Sequence, residues 1–89
     1  MLDRTQVLTR NPGAAYRIYD GQATIVLPEQ ARVTVLNEVG SLVWDRIDGR
    51  RSLGEILDAV NEAFDVAPEQ LERDVKEFLD ALREQRMVS

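Results

Sequence analysis

The chain has 89 residues, a net charge of −5, no cysteine and no histidine, which describes one small domain with a thin core, no disulfide frame, and no thiolate, zinc–thiolate or imidazole chemistry. The negative balance opposes contact with nucleic-acid phosphates or an anionic membrane surface, since Lys and Arg hold both. No apolar run reaches signal-peptide length and no segment is long enough to span a bilayer, so the cytoplasm is the expected location.

Residues 1–13 are polar, with Leu2, Val7 and Leu8 isolated among them. They form an N-terminal arm, read as mobile, as an extra strand, or as a strap over a neighbour. Asn11-Pro12-Gly13 is a turn signal, and residues 14–89 make the single domain. Tyr16 and Ile18 alternate with Arg17 and Tyr19, which is strand periodicity. Asp20-Gly21 is the dipeptide of a tight type I′ hairpin. Thr24–Leu27 follows as a second strand, ended by Pro28. After a turn over Pro28–Ala31, Val33 and Val35 share one face of a third strand, with Arg32, Thr34 and Leu36 on the other. The β half is therefore a three-stranded antiparallel meander, which needs helices on one face.

Asn37 caps the first helix, which carries Val39, Leu42, Val43 and Ile47 and ends at Asp48-Gly49. Trp44 has two readings, a core anchor or an exposed contact. Ser52 and Glu55 form a capping box, and Leu53, Ile56, Leu57, Val60 and Phe64 make the apolar stripe of the second helix. Pro68 opens the third, with Leu71, Val75, Phe78, Leu79 and Leu82 at helical spacing. Met87 and Val88 form a tail placed to fold back onto the sheet. The class is α+β: a meander followed by three helices, winged-helix-like in outline.

No glycine motif for phosphates is present. The carboxylates of the third helix alternate with Arg73, Lys76 and Arg83, as on a solvated face. No enzyme activity, cofactor or metal is expected. A winged-helix outline raises the question of DNA. Across Pro68–Glu84, however, six acids face three bases, the wrong sign for a reading helix.

What remains is a binding surface. The third strand, RVTVLN, has Arg32 at its start but no charge or proline in its middle, so its edge suits an added peptide strand unless the arm covers it. At the margin of the third helix, Leu71, Asp74, Val75 and Phe78 could line a groove beside that strand.

The stretches LNEVGSLVWDRIDGRRSLGEILDAV and DVKEFLDALREQRMV resemble the PqqD family, small proteins named for pyrroloquinoline quinone biosynthesis. The residues that carry the likeness are Leu36-Asn37, Gly40, Trp44, Asp48-Gly49, Ser52, Asp74-Val75 and Phe78-Leu79, with Val26–Glu29 before the third strand. It covers about residues 14–88. It implies a RiPP recognition element, which binds the leader of a ribosomally made precursor peptide. The leader would add to Arg32, Val33, Thr34, Val35 and Leu36 and lie against Leu71, Asp74, Val75 and Phe78. The second implied partner is a modifying enzyme, a radical-SAM protein or a lasso-peptide protease or cyclase. No nucleic acid, membrane or cofactor is implied, and the chain is expected as a monomer or dimer. The competing readings are a winged-helix regulator and a non-catalytic assembly subunit pairing through its strand edge.

Overall fold

The computed structural model describes residues 2–89. Asp20-Gly21 reverses the chain as expected, with positive φ at both residues, 53° and 80°, the pair that a type I′ loop requires. The loop joins β1 (Ala15–Tyr19) to β2 (Gln22–Leu27), with Tyr19 opposite Gln22. One 3-10 turn over Pro28–Gln30 follows, then Ala31 in the left-handed conformation. From there β3 (Arg32–Val35) runs antiparallel to β2, and the sheet order is β1-β2-β3. β3 is thus an edge strand.

The pleat sorts the side chains. Ala23, Ile25 and Leu27 are buried, and Leu36 joins them just past β3. Val33 and Val35 fall on the opposite face, 65 % and 62 % exposed.

Three helices cover the inner face: α1 (Glu38–Arg46), α2 (Leu53–Ala63) and α3 (Pro68–Glu84). α1 starts where Asn37 Oδ1 accepts the Gly40 amide at 2.7 Å, one of the orphan donors of a helix start. α2 starts on the expected box, since Ser52 and Glu55 each cap the other's amide. Leu53, Ile56, Leu57 and Val60 of α2 are buried, as are Leu71, Val75, Leu79 and Leu82 of α3. Of the two readings of Trp44, the core anchor holds. Its side chain is fully buried, edge-on to Tyr16 with ring centroids 5.7 Å apart. The Arg10 guanidinium lies 4.7 Å over the Tyr16 ring and donates to the Tyr16 hydroxyl.

The expectation of a mobile arm is corrected. Leu2 and Leu8 are buried in the same core as the helices, each such burial being worth about 1.5–3 kcal/mol. The arm's backbone is tied at three places. Its Arg4 and Gln6 carbonyls accept the Gly54 and Leu53 amides, its Leu8 carbonyl accepts the Gly49 amide, and Thr9 exchanges both backbone bonds with Ser89. Arg4 also reaches Glu72 on α3 at 2.7 Å. The tail is corrected too: Met87 and Val88 are buried, but they pair with residues 9–11 rather than with the sheet. Met1 lies outside the described residues. No helix among them is long and apolar enough to cross a membrane.

Candidate functional site

The Leu36 amide donates to the Ala23 carbonyl at 2.8 Å, and Thr34 stands opposite Ile25 in the same register. In an antiparallel ladder the bonding direction alternates along each strand. The backbone groups of Arg32, Thr34 and Leu36 therefore face β2, while those of Val33 and Val35 face outward. Among the described residues, no backbone bond joins the arm to β3. The edge carries no proline and no charged residue between Val33 and Leu36, so nothing blunts it in the usual way.

The corner after β3 is held by a buried serine. The Ala23 amide donates to Ser41 Oγ at 2.6 Å, and the Ser41 hydroxyl reaches the Leu36 carbonyl at 3.3 Å. The last rung between β2 and β3 thus passes through the first turns of α1, which locks strand and helix together.

Beside this corner lies a cleft of about 220 Å³ between the start of α1 and α3. Leu71 and Val75 form its floor and are almost fully buried. Phe78 is a half-buried wall, and Asp74 stands exposed on the rim as the only charged lining residue. Asn37, Val39, Gly40 and Val43 line the α1 side, and Val66 closes the end. A methyl group at Gly40 would come within 3.2 Å of Phe78 Cζ and 3.1 Å of Asn37 Oδ1. Glycine lets α1 and the Phe78 ring approach that closely.

All four α3 residues expected at the site share this one cleft. The β3 residues do not line it, and Asn37 is the link between strand edge and cleft. Leu36 is in the core, so its side chain supports the corner rather than the surface. Thr34 points inward and is half-buried, and Arg32 is exposed at the strand's start. Sequence reasoning did not place Val39, Gly40, Val43 and Val66 at the site. The available signal was Gly40 in a helix's first turn, where a missing side chain implies a close neighbour.

Behind α3, Glu72 bonds Lys76 at 2.8 Å as well as Arg4, and those bonds hold its carboxyl below the usual range, Lys76 contributing most. At the α1–α2 turn, the Arg51 and then the Arg50 amide do the same for Asp48, the nearby Arg51 charge adding less. No group of His, Cys, Asp or Glu among the described residues could hold a metal ion. The geometry offers an open strand edge that leads into an apolar cleft. It suits an extended chain that carries apolar side chains.

Comparison with known proteins gives a consistent result. The family model of coenzyme PQQ synthesis protein D (PqqD) matches residues 23–88. A protein named PqqA binding protein from Pseudomonas entomophila (strain L48) is 29 % identical over 87 residues, covering 98 % of this chain and 94 % of its own. Another of that name, from Xanthomonas euvesicatoria pv. vesicatoria (strain 85-10), is 36 % identical over 67 residues, covering 75 % and 71 %. Among solved structures, TbiB1 in complex with the TbiA(beta) leader peptide superposes with a TM-score of 0.82 at 22 % identity, covering 91 % of this chain and 94 % of that one. At that identity the likeness speaks for the fold.

Proposed function

The chain belongs to the PqqD family, and from that premise we propose that it binds the leader segment of a ribosomally synthesised precursor peptide and presents it to a modifying enzyme. The observation that carries this reading is the outward-facing backbone of Val33 and Val35, placed beside a cleft built from Leu71, Asp74, Val75 and Phe78. The leader adds as a fourth strand next to β3. Main-chain bonds tolerate varied leader sequences, and apolar side chains at every second position enter the cleft and select among them. Asp74 on the rim favours a leader with a basic or donor group near its apolar anchor. Relatives named for binding PqqA, and a similar fold seen with a leader peptide, support the reading.

The role asks no chemistry of this chain, which has neither His nor Cys. The chemistry belongs to the partner enzyme, a radical-SAM protein or a lasso-peptide protease or cyclase. Holding the leader on a protein that also touches the enzyme raises the effective concentration of the precursor core, to the millimolar order for a short flexible link. The test is an NMR titration with synthetic PqqA and TbiA(beta) leaders. Amide shifts at Val33–Val35, Gly40, Leu71 and Phe78 are expected. Shifts confined to the arm and tail, such as Thr9 and Val88, would overturn this docking mode.

A further inference from the structure

A second apolar cleft lies on the other flank of α1, of about 250 Å³, between α1, the hairpin tip and the end of α2. Its apolar surface comes from Ile18, Leu42 and Phe64, of which Ile18 is 46 % exposed although it sits on the sheet's inner face. Glu38 and Asp45 are the charged lining residues, and no Lys or Arg lines it. They stand seven positions apart on α1 with Leu42 between them, so about 10 Å of helix rise separates their backbone positions. Glu38 lies against the hairpin tip at Gly21 and has no ion-pair partner among the described residues. Asp45 is held by the Tyr16 hydroxyl and by Arg46, each at 3.3 Å.

Ile18 is exposed and Leu42 and Phe64 are only partly covered by the core, so the cleft offers an apolar floor beside the two acids. We propose that this flank docks a second protein through a segment that presents one large apolar side chain with Lys or Arg to either side. Glu38 is the unpaired acid of this flank and Asp45 shares its charge with Arg46, so the complementary segment sets a base at the Glu38 end, an apolar side chain in the middle and a second, weaker base contact at the Asp45 end. The leader cleft uses Val39, Gly40 and Val43 on the opposite flank of α1, so both occupants fit at once. Resting on the function proposed above, the second protein is the modifying enzyme to which the leader is delivered.

The probe is a synthetic peptide, Arg-Ala-Ala-Leu-Phe-Ala-Ala-Arg, titrated into the labelled chain with a Glu-for-Arg counterpart as control. Saturable shifts at Gly21, Leu42 and Phe64 are expected for the basic peptide alone. The double variant E38Q/D45N keeps the hydrogen-bonding shape and should weaken this binding roughly three- to tenfold, the weight of two solvent-screened ion pairs. I18S, at a half-exposed position, should weaken it independently. Leader titration at Val33–Val35 should be the same in all three proteins, which separates this site from the leader reading. The proposal fails if no saturable binding is seen or if the double variant binds equally well. It also fails if shifts spread to unrelated acids such as Asp80 and Glu84, or if the face instead mediates self-association.

Discussion

The Ser41 hydroxyl accepts the Ala23 amide at 2.6 Å, in the place where an uninterrupted ladder would put the Leu36 carbonyl. This one side chain ties α1 to the sheet at the last rung between β2 and β3. S41A removes the hydroxyl and leaves a buried amide unpaired, a loss of about 1–3 kcal/mol. The urea midpoint should fall with an unchanged slope, since the folded core is otherwise intact.

The alternation of the β3 backbone separates two proline substitutions that look alike on paper. The Thr34 amide faces β2, so T34P breaks the sheet itself, and a lower melting temperature is expected. The Val33 amide faces outward. V33P should leave the melting temperature closer to that of the parent and weaken leader binding roughly three- to tenfold, one main-chain bond's worth. Equal leader affinity for V33P and parent would show that the edge is unused.

Gly40 faces Phe78 in the cleft between α1 and α3. G40A adds a methyl at a contact that is already tight, pushing the ring into the cleft. Leader affinity should drop while stability changes little, because Ala gains up to about 1 kcal/mol of helix propensity over Gly against the crowding. F78L in the G40A background should restore part of the binding by calorimetry.

The hairpin, both helix caps and the stripes of α2 and α3 were legible because each is a local pattern, carried by Asp20-Gly21, Asn37, Ser52–Glu55 and the spacing of Leu71, Val75, Leu79 and Leu82; on α1 the buried face is Gly40, Ser41, Val43 and Trp44, with Val39 and Leu42 only partly covered. That Leu71, Asp74, Val75 and Phe78 line one cleft follows from the same local pattern, since they succeed one another along the margin of the α3 stripe. The arm was not. Leu2 and Leu8 have no periodic neighbours, and the backbone partners that hold the arm, Gly49, Leu53, Gly54, Met87 and Ser89, are distant in sequence. Ser41 was missed because a serine inside a helix carries no sign that its hydroxyl replaces a ladder bond. The Val33–Val35 direction was invisible too, since alternation assigns side chains to faces but not backbone groups to edges.

Leu8 gives the arm a measurable weight. L8A leaves a hole in the core, with an expected cost of about 2–5 kcal/mol, much of the stability of so small a domain. A mobile arm would have made the substitution nearly silent in thermal melts.

Asp48 accepts the amides of Arg50 and Arg51 and pairs with the Arg51 guanidinium at 3.0 Å. These contacts lower its carboxyl below the usual value, the Arg51 amide most strongly. A depressed folded pKa means that the unfolded chain takes up the proton first. The stabilisation is present above the ordinary carboxylate range and fades as the pH falls through the folded value. D48N should therefore lose part of the parent's acid sensitivity, giving a flatter midpoint-against-pH curve between neutrality and strong acid. Since the group is exposed, the difference is small and needs paired measurements.

Thr9 and Ser89 bond each other across 80 positions of the chain. During synthesis at about 5–20 residues per second, residue 9 waits roughly 4–16 s for residue 89 to be made, and longer until it clears the ribosome. Over that interval Arg4, Gln6 and Leu8 gain their partners at Gly54, Leu53 and Gly49, while the longer loop from residue 9 to residue 89 must still be closed. The seam between residues 9–11 and 87–89 therefore closes last, so a nascent chain stalled before residue 87 would leave that part of the arm unpaired.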